Sequence, residues 1–318
     1  MTETPTQHLT DTEAGLARAA QLLRSGQLVA FPTETVYGLG ADARNGTAVA
    51  QIFAAKGRPA FNPLIVHVAD LEMARQIAAF TPEALELARR FWPGPMTLVL
   101  PLREDAGLSL LVTAGLKTVG VRVPGHPVAR RLLREFAGPV AAPSANPSGK
   151  ISPTTAAHVL AGLNGKIAAI VDGGACGVGI ESTIIGFGPA PVLLRPGGLA
   201  AEAVEEVLAT PLPRPAPKPE APNAPGQLSS HYAPSALLRL NATDKREGEL
   251  KLGFGPDPEA DLNLSETGDL TEAAANLFAH LHALDGRGPV GIAVAEVPQT
   301  GLGVAINDRL KRAAAPRP

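Results

Sequence analysis

The sequence predicts a mixed α/β protein: a twisted mixed sheet with flanking helices, followed by a small C-terminal α/β unit. Three observations carry that expectation. Apolar runs of strand length interleave with runs of helical period, as in layered α/β architectures. Several strand-like runs follow one another with no helix between them, so the sheet is expected to be mixed, since parallel neighbours need a long crossover. A segment with seven prolines between Pro211 and Pro225 then interrupts the chain. Fixed φ angles and missing N–H donors exclude a helix or a central strand there.

The elements can be justified in order. "DTEAGLARAAQLLRSG" reads as a helix because Leu16, Ala19, Ala20 and Leu23 share one face and Gly26 stops it. "QLVAF" is a short buried strand. "TAVAQIFAAKG" is a helix with Thr47 as its expected N-cap, and "PLIVHV" is a strand. "DLEMARQIAAF" and "TPEALELARRFW" are helices opening on Asp70 and on Thr81-Pro82. "MTLVLPL" and "TVGVRVP" are strands, "HPVARRLLREF" is a helix, and "GPVAAP" is a strand ending in a loop. "SPTTAAHVLAGL" is a helix with Ser152 as its expected cap and Pro153 at its first position. "KIAAIVDGG", "ESTIIGF" and "PVLLRPG" are strands and "LAAEAVEEVL" is a helix. Beyond the prolines, "ALLRL", "LKLGFG", "TEAAANLFAHLHAL", "VGIAVAEV" and "AINDRLKRAA" make a unit of about 85 residues, an ordinary domain size. The expected division is residues 1–209 for the first domain, 210–234 for the linker and 235–318 for the small domain.

Composition limits the function classes. Of 318 residues 45 % are hydrophobic, ample for a core, and the net charge of −2 gives no global attraction to nucleic acid or anionic membrane. The single cysteine, Cys176, permits no internal disulfide and fits a reducing compartment. The polar N-terminus has no signal-peptide pattern, and no apolar run nears the roughly 18 residues that span a bilayer, so a cytoplasmic location is expected. The seven histidines are scattered, so no protein-held metal site is expected. P-loop, G-x-G-x-x-G and G-x-S-x-G patterns do not occur.

Four segments combine residue types suited to ligands. "FPTETVYGLG", residues 31–40, places threonines, a glutamate and a tyrosine between a strand and two glycines, which suits either a ligand-approach loop or an ordinary turn. "KGRPAFNPLIVHV", residues 56–68, sets Lys56 and Arg58 around Gly57, with Asn62 and His67 following. Two cations there suit a polyanion such as triphosphate, or else complement a helix C-terminus. "KTVGVRVP" puts Thr118, Gly120 and Arg122 on one strand face, where the arginine can meet a bound carboxylate or an ion-pair partner. "AAPSANPSGKISPTTAAHV" offers Ser144, Asn146, Ser148 and Ser152 beside free backbone N–H groups, a phosphate-cradling surface or a plain loop. Ser182, Thr183 and Arg195 stand at further strand edges.

Together, "PTETVYGLG", "KGRPAFNPLIVHV", "PSANPSGKISPT", "EST" and "LRPG" resemble, in order and spacing, the YrdC-like threonylcarbamoyl-AMP synthases, from about Gly26 to Gly198. The Pro-rich linker, "SSHYAP" and the last domain resemble the long, two-domain form. The resemblance implies a YrdC-like catalytic domain, a nucleotidyltransferase activity on L-threonine, bicarbonate and ATP with Mg²⁺ on the phosphates, and a product passed to the tRNA threonylcarbamoyl transferase machinery. Carried over by residue, it implies that Thr35, His67, Arg122 and Ser182 surround threonine, with Arg122 on its carboxylate. It implies that Lys56, Arg58, Asn62, Thr118, Ser144, Ser152 and Arg195 hold ATP, with backbone near Ala142, and that His231 and Tyr232 close over it. Lys56 and Arg58 are the expected catalytic cations. The only two tyrosines, Tyr37 and Tyr232, fall in these segments, which favours ligand roles for both. Hydrogenase-maturation carbamoyltransferases contain a related domain but need cysteine-rich zinc fingers, which one cysteine cannot supply. A YrdC-like RNA-binding module without threonine-dependent ATP turnover is the alternative.

Overall fold

The computed structural model describes residues 5–59, 61–215 and 231–316. Ala60 of the cationic turn and residues 216–230 of the Pro-rich segment, with which the linker expectation largely deals, lie outside them.

The first unit runs β1 (Gln7–Thr10), α1 (Glu13–Arg24), β2 (Val29–Phe31), β3 (Gly38–Asp42), α2 (Gly46–Lys56), β4 (Ile65–His67), α3 (Leu71–Ile77), α4 (Pro82–Phe91) and β5 (Met96–Pro101). It continues α5 (Leu110–Thr113), β6 (Thr118–Arg122), α6 (Pro127–Phe136), β7 (Val140–Ala141), α7 (Ala156–Leu163), β8 (Ala169–Asp172), β9 (Thr183–Phe187), β10 (Pro191–Arg195) and α8 (Ala201–Leu208). The second unit runs β11 (Leu237–Arg239), β12 (Glu249–Gly253), β13 (Leu262–Asn263), α9 (Leu270–Asp285), β14 (Gly291–Val294) and α10 (Gly303–Ala314).

Among the described residues, ten strands form one sheet in the order β1-β8-β2-β3-β7-β4-β6-β5-β9-β10. It is mixed: β4 and β6 run parallel, while β7 lies antiparallel to β4 and β5 antiparallel to β6. Helices cover both faces. Amphipathic α6 buries Val128, Ala129, Leu132, Leu133 and Phe136 against α1, and turns Arg131 and Arg134 outward. The opposite face packs Val66, Leu98, Val119 and Val121 against residues of α2, α3 and α4. A second, four-stranded parallel sheet, β11-β14-β12-β13, carries α9 and α10. Its core is not separate from the first unit: Val36, Ile151 and Ile180 join Tyr232, Phe278 and Leu310 in one apolar cluster. Gly179 makes the close approach feasible, since a Cβ there would sit 2.5 Å from the backbone of Ala274 and Ala275.

Helix caps follow the sequence in part. Asp70 and Thr81 cap α3 and α4 as expected. α2 is capped by Asn45 rather than Thr47, because the helix begins two residues earlier and the Asn45 side chain accepts from the Ala48 N–H. α7 is capped by Thr155 rather than Ser152, so the 152–154 stretch precedes the helix. β1 and β3 were not anticipated. Polar "QHLT" is a strand because it pairs with β8, distant in sequence, and "GLGAD" is a strand whose Gly40 lets Phe31 and Val140 pack across it, a Cβ there falling 2.9 and 3.0 Å from their side chains.

Candidate active site

The cationic turn, the loop after β2, the ends of β4 and β6, the 142–144 loop and the start of β9 converge on one cleft. Strand alternation selects its floor: Ile65 and His67 face the cleft while Val66 between them faces the core.

Arg122, 3 % exposed, lines the cleft. Its Nη1 donates to Thr35 Oγ1 at 2.9 Å, its Nε to the Gly94 carbonyl at 3.2 Å, and its Nη2 to Glu34 Oε1 at 2.6 Å. Glu34 Oε2 accepts from the Gly125 N–H. Burial pushes the Glu34 carboxyl up, but the Arg122 charge and these bonds outweigh it and hold the group below its ordinary value. Ser182, close by, shares a 2.7 Å hydroxyl–hydroxyl bond with Thr97. Buried His67 has no hydrogen-bond partner at Nδ1 among the described residues, and burial, with Arg122 adding to it, depresses its pKa to about 3. The imidazole is neutral at physiological pH.

Two further cations line the cleft. Arg58 is held by α2, whose left-handed Gly57 at φ 60° turns the chain. Its Nη2 donates to the Pro63 carbonyl at 3.0 Å, and burial lowers its pKa to about 10. Arg195 donates through Nε and Nη2 to the Ser182 carbonyl at 3.1 and 2.8 Å. Ser144 and Ala142 line the wall of the same cleft. Gly197 allows the 181–183 backbone to lie against the β10 exit, since a Cβ there would approach that backbone to 2.3–2.5 Å.

His231 and Tyr232 line the same cleft. Ala233 donates its N–H to the Gly149 carbonyl at 2.8 Å, and Tyr232, at φ 64°, packs its ring against Phe278. His231 is buried and held neutral, its pKa depressed to about 3 chiefly by burial.

Of the expected site residues, Thr35, Arg58, His67, Arg122, Ala142, Ser144, Ser182, Arg195, His231 and Tyr232 therefore lie together. Four stand back from the cleft surface. Lys56, buried, gives its ammonium to the carbonyls of Ser144 and Asn146, so it fixes the wall loop. Burial, then Arg58, drives its pKa well down. Ser152 donates to Glu181 Oε1 at 2.5 Å and stands at no helix terminus. Thr118 opens β6 opposite Pro101. Asn62 is buried beneath Arg58, with Oδ1 unpartnered among the described residues. Tyr37 takes no ligand position: it sits in the core with its hydroxyl 2.8 Å from the Gly174 carbonyl.

The sequence reading missed Glu34, Glu181 and Arg309. Glu181 lines the cleft and is paired, at 2.8 Å, with Nε of fully buried Arg309 from α10. No local pattern marks that pair, since its members are 128 residues apart.

Taken together, three buried basic side chains, Arg58, Arg122 and Arg195, line the cleft with one carboxylate, Glu181, which is paired with Arg309; half-buried Glu34 pairs with Arg122, and Asp308 with Arg309. Such a surplus favours an anionic ligand with several charged groups.

Known proteins resemble this chain over most of its length. A family profile described as "Telomere recombination" matches residues 21–197, and one described as "Threonylcarbamoyl-AMP synthase, C-terminal domain" matches residues 199–315. The chain is 44 % identical to the threonylcarbamoyl-AMP synthase of Bacillus subtilis, over 98 % of this chain and 96 % of that one. It is 45 % identical to that of Pyrococcus abyssi, over 93 % and 92 %. The crystal structure of P. abyssi Sua5 complexed with L-threonine superimposes with a TM-score of 0.88 at 40 % identity, covering 98 % of each chain. Escherichia coli YciO shares the fold of the first unit, with a TM-score of 0.56 at 22 % identity over 60 % of this chain. The chain belongs to the threonylcarbamoyl-AMP synthase family and is an enzyme of nucleotidyltransferase type.

Proposed function

We propose that this enzyme joins L-threonine, bicarbonate and ATP into threonylcarbamoyl-adenylate and pyrophosphate, for N6-threonylcarbamoylation of adenosine 37 in tRNA. The observation that carries the reading is that Arg58, Arg122 and Arg195 line one cleft against a single lining carboxylate, Glu181, with no activated nucleophile beside them among the described residues. In the reaction, the threonine amine and bicarbonate give a carbamate with loss of water. A carbamate oxygen attacks the α-phosphorus of ATP, the bond to the bridging oxygen breaks, and pyrophosphate leaves with both bonding electrons. No covalent intermediate with the protein is needed. The protein aligns two anions, neutralises the leaving group and keeps water out.

Arg122 receives the threonine carboxylate, with Thr35, Ser182 and neutral His67 around it. Arg58 and Arg195 take the phosphates, against the Ser144 wall that Lys56 braces. Mg²⁺ would accompany ATP and would help to neutralise the phosphates, leaving Arg58 and Arg195 to orient them. His231 and Tyr232 overhang the nucleotide. The product is handed to the tRNA threonylcarbamoyl transferase machinery, in a cytoplasmic setting. Among the described residues no helix is long and apolar enough to cross a membrane. The deciding experiment measures pyrophosphate with each substrate omitted in turn. Release should require threonine and bicarbonate together, and equal release without threonine would refute the reading.

A further inference from the structure

Among the described residues Arg309 is the largest fully buried side chain, yet it comes from α10, in the unit that carries none of the cleft's strands. Its Nε donates to Glu181 Oε2 at 2.8 Å, and its Nη1 to the Pro196 carbonyl at 2.8 Å and to Asp308 at 3.0 Å. Its guanidinium carbon lies 5.3 Å from the centroid of the Tyr232 ring. One side chain of the second unit thus touches a cleft carboxylate, the backbone beside Gly197 and the aromatic ring at the cleft mouth. Glu181 spends its other oxygen on Ser152. Close packing at Gly179 sets the depth to which α9 approaches, and the His231 N–H donates to the Arg312 carbonyl of α10 at 3.2 Å.

A guanidinium taken wholly out of water needs strong partners, and leaving either member of a buried pair alone is strongly destabilising. A replaceable domain contact would use exposed pairs. Here the second unit instead commits a fully buried charge to a residue that lines the cleft. Burial opposes the Arg309 charge, but Tyr232, Glu181 and Asp308 raise its pKa above the ordinary value, so the charge persists.

We infer that Arg309 is a positioning residue through which the C-terminal unit holds Glu181 and Tyr232 in place, so that the adenylate-forming site is completed by both units. The inference rests on the reading of this cleft as the adenylate-forming site. Arg309 keeps the Glu181 carboxylate off the phosphates by neutralising it, and sets the plane of the Tyr232 ring over the nucleotide.

The test compares the full-length parent with Arg309→Met, Glu181→Gln and the double variant. Threonine-dependent pyrophosphate release should fall at least tenfold in each single variant, and no further in the double variant than in the worse single one, because the two act as a unit. Backbone hydrogen exchange supplies a readout independent of activity. In Arg309→Met, amides 181–183 and 231–233 should exchange at least tenfold faster while those of β14 are unchanged. Turnover and local exchange within twofold of the parent would overturn the inference, as would losses that multiply in the double variant or exchange that rises equally in β14. If Arg309→Met does not fold, Glu181→Gln, nearly isosteric, is read by exchange alone: unchanged amides at 231–233 and in α10 would overturn it. A parent that releases no pyrophosphate would refute the reading of the cleft, while the exchange comparison would still decide the role of Arg309.

Discussion

Arg122 Nη2 lies 2.6 Å from Glu34 Oε1, and the same guanidinium donates through Nη1 to Thr35. The arginine assigned to the threonine carboxylate is therefore preset by a buried partner on the loop after β2. A planar fork held on two edges cannot be replaced by a single ammonium. Arg122→Lys should raise the threonine KM by roughly 10- to 100-fold, the loss of a charge-assisted bond of about 1.5–3 kcal/mol, and change ATP affinity less than threefold. Steady-state kinetics with calorimetric ATP titration check this, and equal losses on both substrates would make Arg122 a phosphate ligand or a structural residue.

Arg58 meets backbone carbonyls only, at Asn62 and Pro63, and no carboxylate among the described residues. Its charge is thus left for a ligand. Arg58→Ala should weaken ATP binding by about 1.5–3 kcal/mol and cost the fold about 1 kcal/mol. Calorimetry and thermal melts separate the two, and undiminished ATP affinity would return the residue to a helix-end role.

Acidification should destabilise the ligand-free protein. His67 and His231, both held to about 3 when folded, take up protons on unfolding below the ordinary histidine value of about 6.5. Between those limits the unfolded chain binds more protons, so stability falls as pH falls, by up to about 1.4 kcal/mol per pH unit for each histidine. Glu34 and Glu181, depressed in the folded state, add a loss of the same sign in the carboxylate range. Melting temperature should decline from pH 7 to pH 5, and His67→Asn should flatten the slope. A slope unaltered by that change would mean that His67 already carries a proton in the folded protein.

His231 and Tyr232 should act as a lid. His231→Ala should leave the melting temperature within a few degrees and lower adenylate formation at least tenfold, because water then reaches a carbamate that loses carbon dioxide. ATP with threonine should also slow amide exchange at residues 231–234. Exchange there that is indifferent to ligands would make the segment a passive tether.

The residues that face the cleft were legible where they sit in short polar stretches beside strands. Thr35, His67 and Arg122 needed only strand alternation and family spacing. The partners Glu34 and Arg309 were not, because pairing across 88 and 128 positions leaves no periodic trace. Ser152 shows the limit of local reading. "SPTT" supplies three cap-capable side chains in four residues, and the choice falls to Thr155 while Ser152 goes to Glu181, a residue far along the chain. Lys56 was legible as a cation but not as a brace, since its acceptors are carbonyls of a loop. The glycines of "GLG" suggested ligand approach, and at Gly40 the reason is the Phe31 ring.

The imbalance of buried charge reaches beyond substrate binding. Guanidiniums do not release their protons in the physiological range, so the pocket cannot relax its grip by titration. Any oligophosphate that binds at Arg58 and Arg195 stabilises the folded chain, by about 2.7 kcal/mol at a hundred times its dissociation constant. Pyrophosphate qualifies as well as ATP does. On the proposed chemistry, the enzyme leaves each cycle holding its own by-product, and forward flux is set by how thoroughly the surroundings remove pyrophosphate.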